Sequence, residues 1–236
     1  MKERPILFSA SMVKAILGDY KTQTRRVLTI QPLDILPMNI PNEWVCLMQK
    51  EPESKGKVFR CRYGIPGDRL WVRETFVLEQ WEDEPKPPAD RPLFHHESDQ
   101  MDEYDNEYWL WPHYKATDPA PELCYEDDPN DDGEPKCKWR PSIHMPRWAS
   151  RIALEIISVR IERLQDIGKD ENINDVFEEG LSKHAYYEFV DDEPCDIDTE
   201  EALEDYKELW NSINEKRGFG WDVNPWVWVI EFKRVK

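Results

Sequence analysis

Apolar and polar positions recur with two different periods along this chain, and the change from one period to the other marks its elements. Near the start, Met12, Val13, Ile16 and Leu17 share one helical face, which predicts a short helix over "SMVKAIL". Ser9 or Ser11 stands where it can cap that helix, and Gly18 falls where a helix-ending residue of positive φ is wanted. Residues 28 to 58 hold no sustained period; Pro32, Pro37 and Pro41 break them into irregular or short-stranded pieces. Period two then sets in. Val58, Arg60 and Arg62 alternate with Phe59 and Cys61, and a Gly-Ile-Pro-Gly turn leads into "DRLWVRETF". There Leu70, Val72 and Glu74 share one face, with Trp71, Arg73 and Thr75 on the other.

Between Glu79 and Pro135 the pattern lapses into nine prolines and scattered aromatics, which reads as an insertion with parts that pack back onto the body. Order returns at "KWRPSIHMPRWASR", where Pro141 and Pro146 are expected to hold "SIHM" extended. "RIALEIISVRIERL" predicts a long strand with Ile152, Leu154, Ile156, Val159 and Ile161 toward the core and a bulge at Ile156-Ile157. "NINDVFEEGL" predicts a short helix stopped by Gly180. Residues 199 to 217 predict the longest helix, with Thr199 as cap and a stripe of Ala202, Leu203, Tyr206, Leu209, Trp210 and Ile213. "NPWVWVIEFKRV" predicts a closing strand. Strands with short helices in their connections, and no regular βαβ alternation, point to an α+β fold of β-barrel type. We read residues 1–236 as a single domain in which 79–135 is an acidic, proline-rich insertion.

Composition sharpens this outline. Eleven tryptophans and 39% hydrophobic residues indicate a packed body. No apolar run approaches the ~20 residues needed to span a bilayer. The N-terminus "MKERPILFSA" is too charged for a secretory signal, and Cys46, Cys61, Cys124, Cys137 and Cys195 are odd in number and scattered, so a disulfide framework is not expected. The expected location is cytosolic. The net charge of −18 looks adverse to nucleic acid until its distribution is followed. Residues 79–135 hold 19 acidic and 3 basic side chains, residues 188–208 hold 11 and 1, and everything else carries a net +8. The body is basic and two appendages carry the acid.

The densest chemistry lies in "GDYKTQTRRV", residues 18–27, where Lys21, Thr22, Thr24, Arg25 and Arg26 follow directly on a short helix. A threonine hydroxyl becomes a nucleophile only when a neighbour takes its proton, and a lysine does that only with a lowered pKa. Arg25 and Arg26 disfavour a charged Lys21, and burial acts in the same direction. Glu178 or Glu179 is available to protonate a leaving amine. Lys21 and Thr24 are three residues apart, so a regular strand would put them on opposite faces; cooperation requires a turn or bulge at Thr22-Gln23. The bland alternative is a cationic surface turn at a helix end.

The run G-x-x-K-T-x-T-x-R, the P-G-D-x-L turn into a strand, the helix ending in Glu-Gly and the final "VIEFK" resemble the ASCH domain of the PUA-like superfamily. "PILFSASMVKAIL", "TQTRRV", "GDRLWVRE" and "SIHMPRWASR" are similar to openings and motifs of its longer bacteriophage and prophage members. The resemblance covers most of residues 4–76 and 139–235 and leaves the insertion without a counterpart in the small members. It implies a PUA-like β-barrel, a role with nucleotides or nucleic acid, and, from a small bacterial member that deacylates N(4)-acetylcytidine, a catalytic set. In that set Lys21 is the base, Thr24 the nucleophile and Glu179 the proton donor.

Further candidates lie outside that run. His144, Arg147, Trp148 and Arg151 combine ring and guanidinium groups suited to base stacking and phosphate contact, and Arg73 and Glu74 are placed to line a pocket. The structural alternative is that Trp148 anchors the strand and the arginines are solvated. His95, His96, His113, Cys124 and Cys137 have no tight-pair spacing, so neither a metal nor another cofactor is expected. "YEDDPNDDGE" and "DDEPCDIDTEE" offer carboxylates for calcium, but the first lacks the ordered EF-hand spacing, and both read better as solvated loops. Three functions remain. The first is an amidohydrolase on acylated cytidine-type nucleosides, and the second a non-catalytic binder of single-stranded RNA or modified nucleic acid. The third is an acidic decoy that engages a host protein through the insertion.

Overall fold

The computed structural model describes residues 1–37, 42–47, 57–81, 86, 91–96, 108–119, 121, 138–169, 174–181 and 199–235. The fold is mixed α+β, mostly sheet with few helices. Its strands are β1 (Glu3–Leu7), β2 (Gln23–Val27), β3 (Asp34–Pro37), β4 (Trp44–Leu47), β5 (Lys57–Phe59), β6 (Arg69–Arg73), β7 (Phe76–Trp81), β8 (Phe94–His96), β9 (Tyr108–Tyr114), β10 (Ala153–Arg163) and β11 (Trp226–Arg234). Its helices are α1 (Ala10–Leu17), α2 (Asp175–Glu178) and α3 (Thr199–Asn214). No helix among the described residues is long and apolar enough to cross a membrane. The chain divides into two compact units: Met1–Lys2, Ala15–Arg69 and Glu155–Arg234 form the first, and Glu3–Lys14, Leu70–Leu154 and Val235–Lys236 the second.

In the first unit the strand order is β10-β11-β2, with β11 antiparallel to β2 from Val227↔Val27 to Glu231↔Gln23. Val227, Trp228, Val229 and Ile230 of β11 are all buried, because this strand has neighbours at both edges and cover on both faces. The core beside it comprises Leu164, Ile167, Val176, Ala202, Tyr206, Trp210, Val227 and Val229. α3 contributes Ala202, Tyr206 and Trp210 from one stripe, as its periodicity predicts. The stripe ends differently: Asn214 is buried, and Ile213 is 54% exposed.

The stretch expected to be irregular holds a second sheet, β3-β4-β5, antiparallel throughout. Strands of three or four residues are too short to display a period, so the prolines are the stronger local signal there. Trp44 of β4 meets Trp228 of β11 edge-on at 5.0 Å. β5 pairs with β4 and stops at Phe59, so the expected strand-turn-strand is two successive tight turns, Gly64 N–H to Cys61 O and Asp68 N–H to Ile65 O, before β6.

In the second unit β1 lies beside β6, and β7-β9-β8 form an antiparallel sheet. Its core holds Phe76, Leu78, Leu110, Tyr114, Met145 and Ala149. The insertion therefore supplies two strands and part of a core, while its acidic run "YEDDPNDDGE", Cys124 and Cys137 lie outside the described residues, as do residues 191–198 of the second acidic run. "SIHMPRWASR" is not an extended arm. Pro141 and Pro146 each stand at the start of a 3-10 turn, Ser142–His144 and Arg147–Ala149. The prolines themselves are extended, but their fixed φ suits the residue that opens a tight turn, and the next residues close it. Among the described residues the strand order in each unit is open, and no barrel closes.

Candidate active site

The site is built in the first unit by two chain reversals that meet. At the N-terminus of α1, Ser9 is the capping serine: its Oγ accepts from the Met12 N–H (3.4 Å) and its carbonyl from the Val13 N–H (2.9 Å). At the C-terminus the left-handed residue is Asp19 (φ 60°), not Gly18. Aspartate tolerates that region. Gly18 serves a different need, because a Cβ there would lie 2.5 Å from the Tyr20 ring. The N–H groups of Tyr20 and Lys21 both donate to Ala15 O, at 2.9 and 3.1 Å. The chain thus wraps around the last helical turn and turns Lys21 inward, where it is 3% exposed.

The second reversal follows α2. The Glu179 N–H bonds Asp175 O (3.0 Å), and Gly180 then takes φ 86° to end the turn. Gly180 is required twice over: a Cβ would also lie 2.9 Å from Lys21 Cβ and 3.0 Å from Ala15 Cβ. This close approach lets Lys21 bridge to Glu179, 158 residues away in sequence. Lys21 Nζ donates to Glu179 Oε2 at 2.9 Å and to its carbonyl at 2.6 Å, satisfying one of the helix-terminal oxygens as it pairs with the carboxylate.

Thr22 sits at a break in the ladder. Its carbonyl accepts from Phe232 N–H of β11 (2.8 Å), but its own N–H donates to Glu178 O (3.0 Å). In a regular antiparallel strand both groups of one residue face the same neighbour. From Gln23 the strand is regular, and Gln23 and Arg25 point to the side of Lys21's partner. Arg25 Nη1 donates to Glu179 Oε1 (3.2 Å), and Nη2 to Asp175 Oδ2 (2.6 Å) and Glu162 Oε2 (3.3 Å). Arg160 of β10 shares Asp175 (2.5 Å) and Glu162 (2.5 Å), bonds Gln23 Oε1 (3.1 Å) and pairs with Glu231 of β11. Glu179 is thus shared by Lys21 and Arg25. Thr24, also buried and paired with Ile230, alternates to the other side of β2 together with Arg26. Gln23 Nε2 and Arg25 Nε are buried donors that these bonds leave uncommitted.

Electrostatics set the network's character. Burial pushes the Lys21 pKa down; Glu179 opposes that shift, and the charges of Arg26 and Arg25 reinforce it. Burial works against the Arg25 charge too, but Glu179 and Asp175 outweigh it and hold the guanidinium more firmly protonated than usual. Arg26 is shifted down, chiefly by burial. Burial, with the neighbouring charges of Asp175 and Glu231, raises Glu178. Tyr206 of α3 is raised by burial and by the Glu179 charge. The result is an amine able to shed its proton, in hydrogen-bond contact with a carboxylate whose other oxygen is held by a permanent cation.

The remaining predicted site residues belong to the second unit. Arg151 and Glu74 form a buried bidentate pair, Nε to Oε1 and Nη2 to Oε2, both at 3.0 Å, with the guanidinium 3.9 Å over the Tyr114 ring. Arg73 lies 4.6 Å over Trp71 and donates to Ile143 O (3.3 Å); Arg147 lies 5.9 Å over the same ring and pairs with Glu3 (3.0 Å). His144 is exposed, and Trp148 stacks on Phe94 at 5.0 Å. Among the described residues no group of histidine, cysteine and carboxylate side chains is placed to hold a metal.

Sequence reasoning missed Asp175, Arg160, Glu162 and Glu231. Signals for them existed: Arg160 and Glu162 are charges two apart on a strand otherwise apolar toward the core, and Asp175 lies one helical turn before Glu179. Compared with family models, with curated proteins and with solved structures, the chain matches none.

Proposed function

We propose that this chain is an α+β protein of the PUA-like ASCH type that removes the acyl group from N(4)-acylated cytidine-type nucleosides. One observation carries the reading: Lys21 and Glu179 are buried together at 2.9 Å, where burial depresses the lysine pKa and Arg25 fixes the carboxylate. In this reading neutral Lys21 takes the Thr24 hydroxyl proton as Thr24 Oγ attacks the acyl carbon. The proton passes from Nζ to Glu179 Oε2 and on to the departing N4 amine. Water then cleaves the threonyl ester, with the same pair removing and returning its proton. Thr24 faces away from Lys21 along β2, so the attack step requires the strand to turn at the ladder break at Thr22. Gln23 Nε2, a buried donor left uncommitted, suits a base carbonyl.

A second reading, a non-catalytic binder of single-stranded RNA, is favoured by a different observation. Lys21 and Arg25 share one carboxylate, whereas Arg73 and Arg147 flank Trp71 on the second unit. The two separate on one assay. Incubation with a panel of N(4)-acylated cytidines, following release of cytidine, is expected to show turnover that Lys21→Ala lowers by about 10²–10⁴-fold. Equal inactivity of both proteins across the panel overturns hydrolysis. Salt-dependent RNA binding weakened by Arg147→Ala then supports the binder.

A further inference from the structure

The register of β7-β9-β8 divides its side chains between two faces. Phe76, Leu78, Leu110 and Tyr114 point one way, into the core with Met145 and Ala149. The pairs Glu79↔Trp111, Trp81↔Trp109 and His95↔Trp109, with His113 opposite Val77, put three indoles, two imidazoles and one carboxylate on the other. Water meets part of that face: Trp81 is 39% exposed, and Trp109 and Trp111 are half-buried.

These rings are ordered against one another. His95 stacks on Trp109 at 4.1 Å and 18°, Trp81 meets Trp111 edge-on at 6.2 Å and 81°, and Trp111 meets His113 at 5.8 Å and 83°. The Glu79 carboxylate among them, 8% exposed, accepts from Trp111 Nε1 and pairs with His113 Nε2 at 2.6 Å. Carboxylate and π faces attract the same thing, a cation. In sequence, the stretch that carries these strands, residues 79–135, holds a net charge of −16, which repels phosphate and favours basic chains.

We propose that this aromatic face docks a basic segment of a partner protein, with arginine or lysine side chains laid across the indoles of Trp81 and Trp109. Charge complementarity selects the partner, and the indoles give the contact a defined place that acid alone lacks. The inference is independent of the chemistry proposed for Lys21, and it gives the acidic-decoy reading a specific surface.

The test uses the full chain and a fluorescent arginine-rich dodecapeptide, with binding followed by anisotropy. Trp81→Ala keeps the net charge of −18, so it leaves attraction by acid untouched and removes one π face. Saturable binding by the wild type, weakened about tenfold by Trp81→Ala and largely restored by Trp81→Tyr, is the expected result. Equal affinity of wild type and Trp81→Ala would place binding in the acidic runs alone and overturn the proposal. So would failure of the wild type to bind, as happens if the chain's own residues occupy the face. A single-stranded RNA of equal length that binds more tightly than the peptide, and loses that affinity in Trp81→Ala, overturns it as well.

Discussion

Each unit buries charge, and the two do so in opposite ways. In the second unit Arg151 and Glu74 satisfy each other in a bidentate fork, so both of the carboxylate oxygens are committed to one partner. In the first, Lys21, Arg25 and Arg160 are laced to Glu162, Asp175, Glu179 and Glu231, and most members have more than one partner. A fork with arginine has one protonation state; burial raises the Glu74 pKa, but Arg151 opposes that shift and cannot itself give up a proton. A network containing a lysine has two. The difference teaches which buried charge is scaffold and which is available for chemistry: the criterion is whether a proton can leave without stranding a charge.

The comparison breaks most readily at Glu74. Glu74→Ala leaves Arg151 buried and unpaired and should cost about 3–5 kcal/mol in a urea melt, whereas Glu74→Met with Arg151→Met should recover most of it. Glu179→Ala should cost less than Glu74→Ala, since Lys21 can lose its proton and Arg25 keeps Asp175 and Glu162. If Glu179→Ala proves the costlier of the two, the distinction drawn between fork and network is wrong. Next in size is Gly180→Ala, which forces a left-handed alanine against Lys21 Cβ. A loss of about 1–3 kcal/mol is expected by thermal melt. Glycine at this place would prove incidental if the melting temperature did not move.

The smallest effect is the sharpest. Lys21 titrates below the ordinary 10.5 when folded, so between its lowered value and 10.5 the unfolded chain holds a proton that the folded chain has lost. Stability therefore rises with pH across that window. Removing a positive neighbour raises the folded value, so Arg26→Gln should narrow the window from below. Urea melts from pH 7 upward, with Lys21→Met as the reference lacking this titration, read the effect directly. An unchanged window would mean that the Arg26 charge does not act on Lys21.

Long elements were legible because they repeat their period often enough to declare it. β10, β11, α1 and α3 stand where apolar spacing put them. β3, β4 and β5 are too short for that, and their partners lie in one another rather than in any local pattern. The 3-10 turns after Pro141 and Pro146 escaped because a proline fixes its own φ and says less about the residues that follow. At the site, Lys21 and Glu179 were both named, but their pairing came from resemblance; nothing in local sequence says that residues 158 apart will touch. Gly18 stands where local sequence wants a positive φ, but Asp19 adopts it, because the need for space beside Tyr20 is a tertiary fact.

The double bonding of Thr22, its N–H to Glu178 and its carbonyl to β11, also fixes when the site can exist. Its partners are encoded 156 and 210 residues later. Both partners must therefore be present before the crossing at Thr22, next to the buried Lys21, is complete. The closing of β11 and the burial of Lys21 thus meet at one residue, Thr22. The Phe232 amide, slow to exchange its hydrogen once it donates to the Thr22 carbonyl, is the natural clock for that closing.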